Sequence, residues 1–221
     1  MPNNKSISIP KYTLGEELMN SISHGLGALF AIAALVIMIV KSAKISDAWT
    51  VVSVTIYGSM LILLYLMSTI YHALKINKAK KVFRVIDHCS IFLLIAGTYT
   101  PFTLVTLRGV LGWTMFGVIW LSSILGITLN AVSVERFKKF SMICYIASGW
   151  IIVLAFGYLW SRLEHMGSVF LIAGGLCYTL GAALYGIGKK RKYFHSVFHI
   201  FVLLGSLFHF FTILFFVILK V

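Results

Sequence analysis

Seven long apolar runs separated by short polar segments organise the chain: Met19 to Val40, Ala48 to Leu74, Val82 to Leu107, Leu111 to Leu129, Met142 to Trp160, Val169 to Ile187 and Tyr193 to Leu219. Each is near or above the roughly 20 residues with which an α-helix crosses the hydrocarbon of a bilayer. The runs exceed the roughly 9–11 residues of a barrel strand and lack its in/out alternation, so strands are set aside. The connections, among them Lys41 to Asp47, Lys75 to Lys81, Asn130 to Ser141 and Gly188 to Lys192, are short and polar. The pattern predicts an all-α, seven-transmembrane helix bundle in one membrane domain, residues 19–221, after a short cytosolic segment, residues 1–18. That segment carries Glu16 and Glu17 and lacks the apolar centre of a signal peptide.

Composition agrees with this reading. Of 221 residues, 60% are hydrophobic and only 11% charged, with a mean hydropathy of +0.96, well above a soluble domain's apolar share of about 45–50%. The net charge of +13 is explained by loop chemistry, since basic residues crowd cytoplasmic loops and meet anionic head groups. No basic stripe interleaves with exposed aromatics, so nucleic acid is not an expected partner. Counted on alternate sides, fourteen basic residues share the side of the N-terminus and five lie opposite. The positive-inside rule therefore predicts a cytoplasmic N-terminus and a C-terminus outside. Cys89, Cys144 and Cys177 each sit inside an apolar run and form no C-x-x-C pair, so neither a disulfide framework nor a thiolate site is expected.

Ionisable groups inside a bilayer cost about 2.5–3.5 kcal/mol each or more, so those that persist face the bundle interior and carry function. Here they are His24, His72, Asp87, His88, His195, His199 and His209. All but His209 fall near the cytoplasmic ends of their helices. In His195-Ser196-Val197-Phe198-His199 two imidazoles lie four apart on one helical face, close enough to grip one metal ion, the alternative being two buried hydrogen-bonding partners. Ser68-Thr69-Ile70-Tyr71-His72 supplies a third imidazole, with Ser68 on the face of His72. Three imidazoles suit zinc, whose catalytic sites keep three protein ligands and one position for water. Asp87 is placed to orient or deprotonate that water, the alternative being an ion pair with Arg84. Ser68 is a candidate donor to the water or to a developing oxyanion, or else bonds its own preceding turn. His24 and His88 read as supporting or packing residues. His209 lies about 15 Å deeper than His199 and cannot join the site. Pro101 is expected to kink the third helix, and most of the tryptophans to anchor interfaces.

These residues resemble a known family. Glu17 with Asn20, Ser23, His24 and Gly25, then Ser68 to His72, then Arg84, Asp87, Ile91, Gly97 and Pro101, then His195 with His199, are similar in content and order to the hemolysin III family. That family is related to progestin and adipoQ receptors and, further off, to alkaline ceramidases. The resemblance implies zinc held by His72, His195 and His199 near the cytosolic face, with Asp87 on the zinc-bound water. The long N-terminal segment of the eukaryotic receptors has no counterpart here.

Several functions fit the sequence. The leading one is a zinc-dependent hydrolase of a lipid amide or ester bond, with Asp87 and Ser68 as catalytic residues and membrane lipids as partners. Its rivals are a non-enzymatic membrane-homeostasis or receptor-like protein with structural zinc, a cytolysin as the family name suggests, and a proton or ion carrier using Asp87 and His88. The sequence leaves the oligomeric state open.

Overall fold

The structure is a computed structural model describing residues 9–45, 47–187 and 191–219; Lys5, Lys189, Lys190 and Lys220 lie outside the described residues, as do residues 1–8 of the N-terminal segment. Among the described residues the elements are α1 (Leu14–Ile45), α2 (Ala48–Ala73), α3 (Lys78–Pro101), α4 (Val110–Trp150), α5 (Phe156–Arg162), α6 (His165–Ile187) and α7 (Phe194–Ile213), with no strand. Six helical segments are long and apolar enough to cross a membrane, and one of them, Val110–Arg162, is 53 residues long.

Helix starts follow local capping chemistry. α1 begins at Leu14, ahead of the apolar run, because Thr13 and Glu16 form a reciprocal capping box: Glu16 accepts from the Thr13 backbone N–H at 2.8 Å, and Thr13 Oγ1 accepts from the Glu16 N–H at 3.3 Å. Glu16 and Glu17 are thereby helical, in the first turn, where the helix dipole favours carboxylates. Asp47 caps α2 through the Thr50 N–H and also pairs with Arg108. The Thr50 N–H first, and then Arg108, hold the Asp47 carboxyl below its ordinary range. Asn77 caps α3 through the Lys80 N–H.

The polar stretch from Asn130 to Ser141, expected as a loop, is instead helical except at Ser133, where φ is −167° and ψ 105°. Ser133 Oγ accepts from the Arg136 N–H at 3.3 Å, so one residue ends a helix and starts the next. The limbs on either side double back: Ser141 Oγ donates to Asn130 Oδ1 at 2.6 Å, whereas a straight helix would hold those residues about 16 Å apart. Asn130 and the Tyr145 hydroxyl both donate to the His88 carbonyl of α3. At the far end Trp120 donates to Thr100 Oγ1, and the Tyr99 hydroxyl donates to the Gly149 carbonyl. α3 thus forms a spine against which both limbs lie.

Pro101 is the last residue of α3. It leads into a π-helical turn, Phe102–Thr106, closed by Leu107 N–H donating to the Phe102 carbonyl at 2.8 Å. The core holds small α1 residues, Ala28, Ala31 and Ala34, against Tyr57, Leu61 and Tyr65 of α2, the close small-residue packing usual in membranes. At Gly58 an added Cβ would come within 2.6 Å of Leu35, so glycine is required for that approach. Outward faces are apolar, as at Leu29, Leu121 and Leu154, which suits contact with lipid.

Candidate metal centre

Three imidazoles meet where α2 ends and α7 begins. His72 is the penultimate residue of α2, while His195 and His199 lie on the first turns of α7. The start of α7 is fixed by Tyr193, in the left-handed region at φ 63°, whose N–H donates to Glu16 Oε1 at 2.8 Å. His195 Nε2 lies 3.2 Å from His72 Nε2 and 3.2 Å from His199 Nε2. The ligand atoms of the three all fall within 4.8 Å of one another. For a tetrahedral ion with zinc–nitrogen distances of 2.0–2.1 Å, neighbouring nitrogens stand about 3.3 Å apart. The donor set therefore fits a zinc-sized ion, as the sequence proposed for His72, His195 and His199.

The surrounding shell points the same way. His72 Nδ1 donates to Glu17 Oε2 at 2.6 Å, and Lys80 Nζ donates to the other oxygen of the same carboxylate. This fixes the His72 tautomer and leaves its Nε2 lone pair turned to the centre, the usual arrangement around a metal-ligating histidine. Ser196 Oγ donates to Asn20 Oδ1 at 2.6 Å, tying α7 to α1. His24 stacks on His199 with ring centroids 3.6 Å apart. Tyr12 stacks on His195 at 5.0 Å, and burial pushes its hydroxyl above the ordinary phenol range, keeping it neutral.

A cavity of about 170 Å³ is walled in part by two of the three imidazoles, His195 and His199. Pro10, Tyr12, Ser68 and Asp87 also line it, and it extends to Tyr99 and His209. The Ser68 hydroxyl is a side-chain neighbour of the Asp87 carboxylate. Arg84, weighed as an ion-pair partner for Asp87, pairs with Glu135 of α4. His24 and His88 also line the cavity, and neither ring nitrogen of the buried His24 has a hydrogen-bond partner. His209 stands apart from the centre, bonded to the Leu171 carbonyl at 3.2 Å. His165 is exposed at the start of α6, edge-on to Trp160.

The sequence named the three ligands, Asp87 and Ser68, but assigned no role to Glu17, Lys80 or Tyr12. A carboxylate in the first turn of an otherwise apolar helix was the available signal for Glu17. The pairing itself depends on α1, α2 and α3 meeting in space.

Fold and site define a class: a multi-pass helical membrane protein with a metal-type histidine centre buried at one end of its bundle. Within that class the chain belongs to the hemolysin III family, whose model, described as Haemolysin-III related, matches residues 12–210. It is 45% identical over 203 residues to Hemolysin-3 of Bacillus cereus, covering 92% of each chain. It is 41% identical over 205 residues to the Hemolysin-3 homolog of Bacillus subtilis (strain 168), covering 93% of this chain and 96% of the relative. A more distant relative is the Monocyte to macrophage differentiation factor of Homo sapiens, 26% identical over 210 residues, covering 92% of this chain and 85% of that one. No solved structure gives a significant match.

Proposed function

We propose that this protein is a zinc-dependent hydrolase that cleaves an amide or ester bond of a membrane lipid at the cytoplasmic end of a seven-span bundle. The observation that carries the reading is the placement of a carboxylate and a hydroxyl, Asp87 and Ser68, on the wall of one largely apolar cavity with His195 and His199, two of the three converging imidazoles. A purely structural metal site needs neither a cavity nor a base. When bound, zinc supplies Lewis acidity, lowering the pKa of water and polarising a carbonyl. Asp87 takes up the proton released on attack at its free carboxylate oxygen, while Ser68 holds the other oxygen and fixes the carboxylate's orientation. His24, with both nitrogens unpartnered on the cavity wall, is placed to hydrogen-bond the substrate. The apolar walls take the acyl chain and exclude water from the reacting bond.

The seven-span topology rests on the reversal at Ser133, which divides the 53-residue segment into two crossings, and its orientation on the excess of basic residues beside the metal centre. A cysteine added after Val221 is then labelled by an impermeant thiol reagent in intact cells; labelling only after lysis contradicts this topology.

The activity is tested by incubating purified protein with a panel of N-acylated and O-acylated lipids and measuring released fatty acid. The expected result is release that a chelator abolishes and added zinc restores. Bound zinc with no release from any lipid would favour the structural-zinc reading, which the Lys80–Glu17–His72 clamp between three helices also suits. The relatives named Hemolysin-3 raise membrane lysis, and dye leakage from vesicles without fatty-acid release would favour that reading.

A further inference from the structure

The deep end of the cavity is built differently from a simple hydrocarbon pocket. His209 lies ten residues beyond His199 on α7, about 15 Å of helical rise. It lines the cavity at the metal centre and also a second cavity of about 290 Å³, which shares Thr98, Tyr99, Gly149, Trp150 and Gly175 with the first. His209 therefore stands in the wall that the two spaces share, at the neck between them. Its imidazole is 7% exposed.

The tautomer of His209 follows from its contacts. Nε2 donates to the Leu171 carbonyl at 3.2 Å. The Cδ2–Nε2 edge lies so close to α6 that a Cβ on Gly174 would collide with both atoms. Nδ1 therefore keeps its lone pair, is buried, and has no hydrogen-bond partner. The other polar side chains of the neck are committed. Thr98 bonds the Leu94 carbonyl, the Tyr99 hydroxyl bonds Gly149 and Ile152, and Trp150 bonds Thr179. The neighbouring Tyr178 hydroxyl is bonded to Ser206. His209 Nδ1 is thus the one unpartnered acceptor in this neck among the described residues, and a buried acceptor left without a donor is costly.

We infer that this neck is a second recognition point, at which His209 Nδ1 accepts a hydrogen bond from a hydroxyl carried partway along the acyl chain of the bound lipid. This rests on the reading of the cavity as a lipid-chain site, and it adds a preference for hydroxylated over plain chains. With the chain's carboxyl-derived end at the metal centre, a hydroxyl about 15 Å away meets the neck. That is about the length of twelve carbons of extended hydrocarbon.

Binding measured without turnover tests the inference. Ricinoleate, which is oleate with a hydroxyl on its twelfth carbon, and oleate itself compete against labelled oleate on the zinc-loaded protein in nanodiscs. Ricinoleate is expected to bind about fivefold more tightly, the worth of one net hydrogen bond. An isomer whose hydroxyl adjoins the carboxylate is expected to match oleate. His209→Phe keeps a ring in the neck and is expected to level the affinities of the two ligands. Equal affinities of ricinoleate and oleate on the parent protein would overturn the inference alone, even if the variant failed to fold. A gain of the same size for the carboxylate-adjacent isomer would overturn it as well. Saturable binding of neither ligand would overturn the lipid-chain reading of the cavity and this inference with it.

Discussion

Asp87→Asn is expected to keep its metal and lose fatty-acid release by about two to four orders of magnitude, the usual contribution of a positioned general base. The amide has the shape of the carboxylate and can still accept from the Ser68 hydroxyl, so the cavity wall should be preserved. What it cannot do is take up a proton. Metal content should persist because the proposed ligating nitrogens belong to His72, His195 and His199, not to Asp87. Two measurements on one preparation, metal per chain and product per minute, separate the alternatives. Retained zinc with undiminished turnover would remove Asp87 from the chemistry, and lost zinc would make it a ligand. Ser68→Ala should fall between parent and Asp87→Asn, since it frees the carboxylate's orientation without removing the base.

The double substitution His195→Ala with His199→Ala should empty the site, since one remaining imidazole does not hold the ion. A bound ligand at about 100 times its Kd contributes about 2.7 kcal/mol to stability. For a chain of this length each kcal/mol corresponds to about 2–4 °C. The melting temperature in detergent should therefore fall by about 5–10 °C. Loss of two buried rings also lowers stability through packing, and a chelator distinguishes the two causes. It should lower the melting temperature of the parent and leave the double variant unchanged. A variant that melts lower but still responds to chelator would place the metal elsewhere.

The bundle was legible because a membrane helix declares itself by length and hydropathy, and the runs from Ala48 and from Val82 fall on α2 and α3. The polar stretch from Asn130 to Ser141 misled, because polarity does not distinguish a loop from two helix ends. Asn130, Ser133 and Ser141 spend their side chains on capping and on each other, which leaves one residue to make the turn. The cluster of His72, His195 and His199 was readable from spacing on single helices, S-x-x-x-H and H-x-x-x-H. The clamp by Glu17 and Lys80 was not, since the carboxylate on α1, the ring on α2 and the ammonium on α3 are neighbours only after folding. His209 illustrates the same limit. Helical rise placed it correctly outside the centre, but its position in the neck between two cavities depends on α3, α4 and α6 together.

His72, His195 and His199 are proposed to form one zinc centre. The decisive measurement is elemental analysis combined with X-ray absorption at the zinc edge, on protein purified without added metal. About one zinc per chain is expected, with only nitrogen and oxygen neighbours near 2.0–2.1 Å. A metal-free protein, or zinc with sulfur in its shell at about 2.3 Å, would contradict it, the latter by moving the ion to Cys89, Cys144 or Cys177.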